Sequence, residues 1–223
     1  MKIGAVLLAA GAASRMGSRP KCLLELGGVP LVRRQLIALA GADVDEVVVV
    51  LGHYAEQVEA AVVSSPVTLV RNPSPDDGQA SSVRLGLRAL SSRLDAVIVA
   101  LADQPMIDAS DITALISAYR HRGDKSMVVP RVSSPDGNWV PGNPVILSAD
   151  LRQQWLAAED DGMCRRWRQQ HPEQIAWLET DNRHYAMDLD TPEDLKRFET
   201  DTGRALVWPS ASLASPDGPV GAK

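Results

Sequence analysis

Short apolar runs alternate with stretches of helical period along the first half of the chain. Residues 3–8 are apolar at successive positions, the pattern of a strand buried on both faces of a parallel sheet. Residues 30–40 have helical period, with proline placed for the first turn and Gly41 at the exit. Glu46–Leu51, with four consecutive valines, predicts the next strand. A helix running to Val62 and a short strand at 67–70 follow. Residues 81–90 fit a helix whose apolar face is Val83, Leu85, Leu87 and Leu90, and 95–101 read as a further buried strand. Ser110 and Asp111 then cap a helix that runs to Arg122 and is closed by Gly123.

Strand–helix alternation at this rhythm predicts an α/β fold: a Rossmann-like, mostly parallel sheet with helices on both faces, in three layers. Ligands of such sheets bind at the carboxyl ends of the strands. That rule points to the loops 9–21, 72–82 and 102–106, each of which follows an expected strand. Beyond residue 126 the texture changes. Eight of the nine aromatic residues lie after residue 118, and only Tyr54 precedes them. The broad turns at 134–137 and 140–144, the second containing Gly142, Asn143 and Pro144, suit a lid or an acceptor pocket. From Pro209 onward the Ser/Pro/Gly/Ala composition reads as tail.

Composition narrows the function. The chain has 223 residues and a formal charge of −5, against a dedicated nucleic-acid surface, which needs a clustered basic excess. Its length suffices for a single core without disulfide or metal staples. Cys22 and Cys164 are far apart and match no zinc or redox spacing, so a reducing, cytoplasmic setting is expected. Lys2 and the apolar run to Ala13 also have the form of a secretory signal. Arg15, Arg19 and Lys21, arriving directly after the run, favour a buried first strand instead. No other apolar stretch approaches the roughly 20 residues that span a bilayer, so a soluble protein without a membrane partner is expected.

The richest chemistry follows that first strand: Leu8, Ala9, Ala10 and Gly11, then Arg15, Gly17 and Lys21. Small residues let backbone N–H groups approach a ligand closely, and two cations suit a polyphosphate. The alternative is a solvated glycine-rich loop. Two common phosphate motifs fail here: Gly17 is followed by Ser18-Arg19 rather than Lys-Ser/Thr, and Ala13 stands where a dinucleotide loop needs its second glycine. Asp103 ends a strand at the ligand edge, where a carboxylate is a hard-oxygen ligand for magnesium or, alternatively, a turn cap. Asp188 and Asp190 flank Leu189, so on extended chain their carboxylates share a face. Asp188 is assigned to metal; Asp190 or Thr191 caps the helix that follows, and Asp190 is left as that cap or as an outer-shell group of the metal. Gly78, Gln79, Ser81 and Ser82 precede a helix, with Ser81 as its cap or the helix end facing an anion. The four histidines share no motif and are read as surface or packing residues, and Cys22 as a buried filler.

The first stretch resembles the signature L-A-A-G-x-x-x-R-M-G-x-x-x-K of the MobA-like nucleotidyltransferases, and most closely the molybdenum cofactor cytidylyltransferase branch. Further matches follow in order: Gly78 to Leu87, Ala102-Asp103-Gln104-Pro105, Gly142-Asn143-Pro144-Val145, and Asp188 to Leu195. The resemblance covers roughly residues 3 to 198. It implies a fold of the nucleotide-diphospho-sugar transferase type in one domain, 1–204, with a nucleotide half to about 125, an acceptor half from about 126, and a flexible tail at 205–223. It also implies transfer of CMP from CTP to a phosphorylated acceptor, molybdenum-bearing molybdopterin, with release of pyrophosphate and Mg2+ as the cofactor. Arg15, Lys21 and Asp103 would be catalytic. Leu8, Ala9, Ala10, Gly11, Gly78, Gln79, Ser81 and Ser82 would bind the nucleotide, Asp103 and Asp188 the metal, and Gly142, Asn143 and Pro144 the acceptor. A client molybdenum hydroxylase or its chaperone is the protein partner to expect.

Ala10 resembles the cytidylyl branch, since guanylyl relatives carry glycine there. The branch also shows Gly-Asp-x-Gly-Ala-Arg in its second half, and here residues 159–165 depart from it by displacing the arginine one position. Three alternatives stay open: guanylyl or other nucleotidyl transfer to a different phosphate, a metal-dependent glycosyltransferase using Asp188-Leu189-Asp190, and a non-catalytic cofactor carrier.

Overall fold

The computed structural model describes residues 1–158 and 165–209. Strand β1 (Ile3–Ala9) leads through the glycine loop to a small hairpin, β2 (Glu25–Leu26) and β3 (Val29–Pro30), and then to α1 (Leu31–Gly41). Next come β4 (Glu46–Leu51), α2 (Ala55–Val62), β5 (Thr68–Arg71), α3 (Gln79–Ala89), β6 (Ala96–Leu101) and α4 (Ala109–Arg120). The second half contributes β7 (Met127–Ser133), β8 (Trp139–Pro141), β9 (Val145–Ser148), α5 (Ala149–Ala157), α6 (Arg165–Gln170), β10 (Ile175–Thr180), α7 (Pro192–Thr202) and β11 (Leu206–Val207).

The main sheet has the order β10-β7-β9-β6-β1-β4-β5, with β8 added to β7. β1 pairs in parallel with β4 and β6, β4 with β5, and β7 with β10. β9 runs antiparallel between β6 and β7. The expected Rossmann-like, mostly parallel sheet between helix layers is therefore present, with an antiparallel strand inserted in its second half. Period-2 alternation divides the core. Ala5, Leu7 and Ala9 of β1 face α1, α2 and α4 together with Val49, Ile98 and Ala100. Val6 and Leu8 face α3 and α5 with Val48, Val50, Val97 and Val99. Because all seven residues of β1 are buried, the strand reads as a continuous apolar run.

Buried Arg152 fastens α5 to α3. Its guanidinium donates to the carbonyls of Leu87, Leu90 and Ser91 at 2.6–3.1 Å, satisfying acceptors that the end of α3 would leave unpaired.

A third, smaller core lies at the ligand edge. Met16 of the glycine loop packs there with Leu24, Leu26 and Leu31, and with Leu189 and Phe198 from the end of the chain. β11 pairs antiparallel with β2, so Leu206 and Val207, within the stretch expected as flexible tail, are strand. The remainder of that stretch, 210–223, lies outside the described residues, as do 159–164 of the displaced motif and Cys164. Helix starts differ from the sequence reading in two places, α4 and α3. The α4 cap is Asp108, in a capping box with Asp111, rather than Ser110. At α7 the cap is Thr191, boxed with Asp194, one of the two residues expected there. Gly78 is the α3 cap, which places Ser81 inside the helix. Among the described residues, no helix is long and apolar enough to cross a membrane.

Candidate active site

The carboxyl ends of β1, β4 and β6 open into a cleft of about 340 Å3 lined by Leu8, Ala9, Ala10, Gly11, Lys21, Tyr54, Gly78, Gln79, Ser82, Asp103, Asp188 and Asp190, among others. The three loops expected to converge therefore do so, and the C-terminal Asp188-Leu189-Asp190 segment joins them. Alternation works as expected: Leu189 is buried in the third core, while its two acidic neighbours line the cleft.

At the centre, the Lys21 ammonium lies 2.8 Å from Asp103 Oδ2 and 2.8 Å from Asp190 Oδ1. Burial works to lower the lysine's affinity for its proton. The two carboxylates outweigh it and hold Lys21 above its ordinary value. Asp188 keeps solvent access at the rim, yet its carboxyl is pushed above the ordinary range, first by desolvation and then by Asp103 and Asp190. Three carboxylates thus share one ammonium, and the cluster lacks positive charge.

The glycine loop is shaped by left-handed residues at Ala13 (φ 49°), Gly17 (φ 68°) and Ser18 (φ 53°). For Ala13 and Ser18 that conformation costs about 1–2 kcal/mol each, so other contacts must hold it. Tyr54 supplies one, its hydroxyl donating to Ala12 O at 2.9 Å. The floor beneath the loop is tight, since a Cβ on Gly52 would fall 2.5 Å from Ala10 O and 2.7 Å from Ala10 Cβ. Arg15 sits exposed on the 3-10 turn Ser14–Met16 and is not among the residues that line the cleft, although Ala13, two positions earlier, is. Cys22 is buried against the cleft, and burial together with the Asp103 charge pushes its thiol up to about 12. Its reading as a filler fits that environment.

The opposite wall is organised by Asn72, a buried residue that sequence reasoning passed over. Its Nδ2 donates to Ser81 Oγ and Ser82 Oγ, both at 2.9 Å, and its Oδ1 accepts from Ser74 N. Ser82 lines the cleft, whereas the Ser81 hydroxyl is turned back to Gly78 O at 2.8 Å. No side chain caps α3, and Gly78 and Gln79 bring its first turn to the cleft.

The Gly142-Asn143-Pro144 turn lies deeper. A Cβ at Gly142 would meet Tyr185 O at 2.4 Å, and Asn143 N donates to that carbonyl at 2.8 Å. Buried Gln104 binds the carbonyls of Asn143 and Tyr185, tying the turn to the loop that carries Asp103. Asn143 also lines a second cavity, of about 630 Å3, with Arg165, Arg166 and Arg168. This cavity shares Gly78, Gln79 and Leu101 with the first. Among the described residues, Asp108, Asp111 and His184 form a group whose metal-capable atoms lie within 4.8 Å of one another. Asp111 is engaged there by the α4 capping box, by Asn182 and by His184 Nδ1 at 2.8 Å, so this group is structural.

Comparison with known proteins agrees with this geometry. The nicotine blue oxidoreductase of Paenarthrobacter nicotinovorans is 30% identical over 194 residues, 86% of this chain and 94% of that protein. The bifunctional protein GlmU of Clavibacter sepedonicus is 35% identical over 140 residues, 61% of this chain but 28% of that longer protein. Among solved structures, a nucleotidyl transferase from Methanothermobacter thermautotroptrophicus superposes with a TM-score of 0.71 at 26% identity, covering 90% of this chain and 97% of that one. The CMP:2-keto-3-deoxy-manno-octonic acid synthetase complexed with CTP shares the fold at 17% identity, with a TM-score of 0.69 over 91% of this chain and 99% of that one. The profile of the MobA-like NTP transferase domain matches residues 5–175, and this chain, with its glycine loop set against the carboxylates after β6, belongs to that family.

Proposed function

We propose that the chain transfers a nucleotidyl group, CMP from CTP, to a phosphorylated acceptor, molybdenum-bearing molybdopterin, and releases pyrophosphate in the cytoplasm. The observation that carries the proposal is Lys21 held between Asp103 and Asp190 opposite a loop of open backbone amides. The donor set fits a divalent cation: hard oxygens, an excess of negative charge, and an Asp188 carboxyl crowded by like charges. Asp103 and Asp188 would hold magnesium, which when bound neutralises phosphate charge and polarises the transferring phosphoryl group.

The chain's own residues account for the rest. Gly11 and its neighbours offer backbone donors to the phosphates, and the first turn of α3 adds its amides. Lys21 exchanges a carboxylate for the developing charge on the transferring oxygens, and Arg15 reaches the polyphosphate from the rim. Gln79 and Ser82, which line the cleft, would read the base or sugar. A phosphate nucleophile is ionised at neutral pH and needs no general base, consistent with a cleft lined by no histidine. The arginines of the second cavity supply positive charge for an anionic acceptor that must meet the nucleotide across Gly78 and Gln79.

The test is pyrophosphate release with CTP, GTP or ATP and purified molybdenum cofactor. CTP-dependent pyrophosphate is the expected product, while release of a nucleoside diphosphate would move the chain to glycosyl transfer. One observation favours a second reading: the relative matched over most of both chains is named an oxidoreductase. Reduction of an added dye acceptor at the expense of an added hydride donor, with no pyrophosphate released, would establish that reading instead.

A further inference from the structure

The glycine loop is held from outside. Among the described residues, backbone bonds over 13–24 are local: Met16 N to Ala13 O, Leu23 N to Pro20 O, Leu24 N to Lys21 O and Leu31 N to Leu24 O. The two flanks of the loop are tied to the main sheet and its helices, through Tyr54 on Ala12, Lys21 on Asp103, and Cys22 and Leu23 in the main core. Between those flanks, the segment 204–208 reaches the loop. β11 pairs with β2 directly after the loop, and Leu206 and Trp208 pack on the third core, in which Met16 is buried. The Trp208 ring lies 4.0 Å from the Arg19 guanidinium, within cation–π range and two residues before Lys21. Arg204 Nη1 approaches Met106 Sδ at 3.9 Å, on the loop that also carries Asp103. One short segment thus touches both loops whose side chains meet in the Lys21–Asp103 pair, and it lies well past the family profile's end at residue 175.

We infer that residues 204–208 are a strap that holds the glycine loop in its working conformation, with Trp208 a positioning residue that acts through Arg19 on Lys21. The consequence for turnover rests on the nucleotidyl-transfer reading; the mechanical consequence does not. The strap adds no group to the reacting atoms. It supplies the restraint that a loop with left-handed Ala13 and Ser18 lacks in its own hydrogen bonds.

The test compares the full-length wild type with Trp208→Ala, Trp208→Phe and, as a remote control, Trp139→Ala, which alters an exposed ring at the far end of the sheet. Amide exchange over residues 14–20 is measured beside that of β10, with steady-state pyrophosphate release at varied CTP. Loss of a cation–π contact should speed loop exchange in Trp208→Ala by about 3- to 30-fold while β10 stays unchanged. The accompanying loss is expected in kcat rather than KM, with Trp208→Phe restoring most of both readouts and Trp139→Ala moving neither. Unchanged loop exchange in Trp208→Ala overturns the strap, as does an equal increase throughout the sheet. Faster loop exchange with kcat intact overturns the positioning role. If the wild type releases no pyrophosphate from any nucleoside triphosphate, the nucleotidyl-transfer reading and the positioning role fail together, and the exchange data still decide the strap.

Discussion

Asp103 and Lys21 reach each other from loops 82 positions apart in the sequence, and each constrains what the other can do. Replacing Asp103 with Asn keeps the shape but removes one charge from the cluster. If Asp103 holds magnesium as proposed, turnover at saturating magnesium should fall by about 10² or more while the thermal midpoint stays near that of the wild type. Lys21→Ala removes the preorganised cation and should cost a similar factor per folded molecule, measured as pyrophosphate release. Cys22 gives the opposite kind of prediction. In a Cys164→Ser background its buried, high-pKa thiol should resist a thiol reagent at pH 8 until the protein is unfolded; rapid native-state reaction would make it an exposed nucleophile. Asp103 and Lys21 were legible because each directly follows a recognisable strand or glycine loop. The sequence left Asp190 open between a cap and an outer-shell group because Asp-Thr-Pro-Glu is a good helix start whichever residue caps it, and only the fold brings Lys21 to that carboxylate. Tyr54 and Asn72 carried no local signal. Their work is done on partners reached only through the turn after β4 and the loop after β5.

At the scale of elements, apolar period exposed β1, β4 and β6, since strands buried on both faces carry the pattern in their own residues. β2, β3 and β11 have two residues each, too few for any period, and their pairing depends on chain ends far apart in sequence. β9, with four residues, went unread in the sequence, and its antiparallel direction is set by its connections to β8 and α5. Arg152 was invisible for a different reason, since arginine is normally a surface residue. Here it is buried on the last carbonyls of α3, the helix whose first turn forms a cleft wall. Arg152→Met should leave those acceptors unpaired and cost about 3 kcal/mol. For a chain of this size the thermal midpoint should drop by about 6–12 °C. A drop below about 2 °C would mean that water replaces the guanidinium without loss. Gly52→Ala acts on the other wall: its methyl would collide with Ala10 and displace the loop, and if that loop receives the phosphates as proposed, the CTP dissociation constant should rise.

Across the whole molecule, the cleft joins the two ends of the chain. The glycine loop comes from the first 21 residues and Asp188 and Asp190 from the last part of the described chain, while the third core draws on both, with Met16, Leu24, Leu26 and Leu31 packed on Leu189 and Phe198. A ligand bridging these parts binds only the folded state, so nucleotide and metal should raise thermal stability together by mass action. At about 100 times the dissociation constant the gain is about 2.7 kcal/mol, or about 5–10 °C for a protein of this length. The shift needs no acceptor and therefore tests the nucleotide site alone. On the proposed cytidylyl reading, CTP with magnesium should give the largest rise and GTP a smaller one, with Ala10, which packs closely against Gly52, as the residue that would set the width of the loop beneath the base. One methyl-sized change is worth about 1–3 kcal/mol in selectivity, enough to separate the two midpoints by several degrees. Ala10→Gly should bring them together, and Asp103→Asn should abolish the part of the shift that depends on magnesium. A wild type stabilised more by GTP than by CTP would overturn the cytidylyl assignment. A shift insensitive to magnesium in wild type and Asp103→Asn alike would remove Asp103 from the metal site.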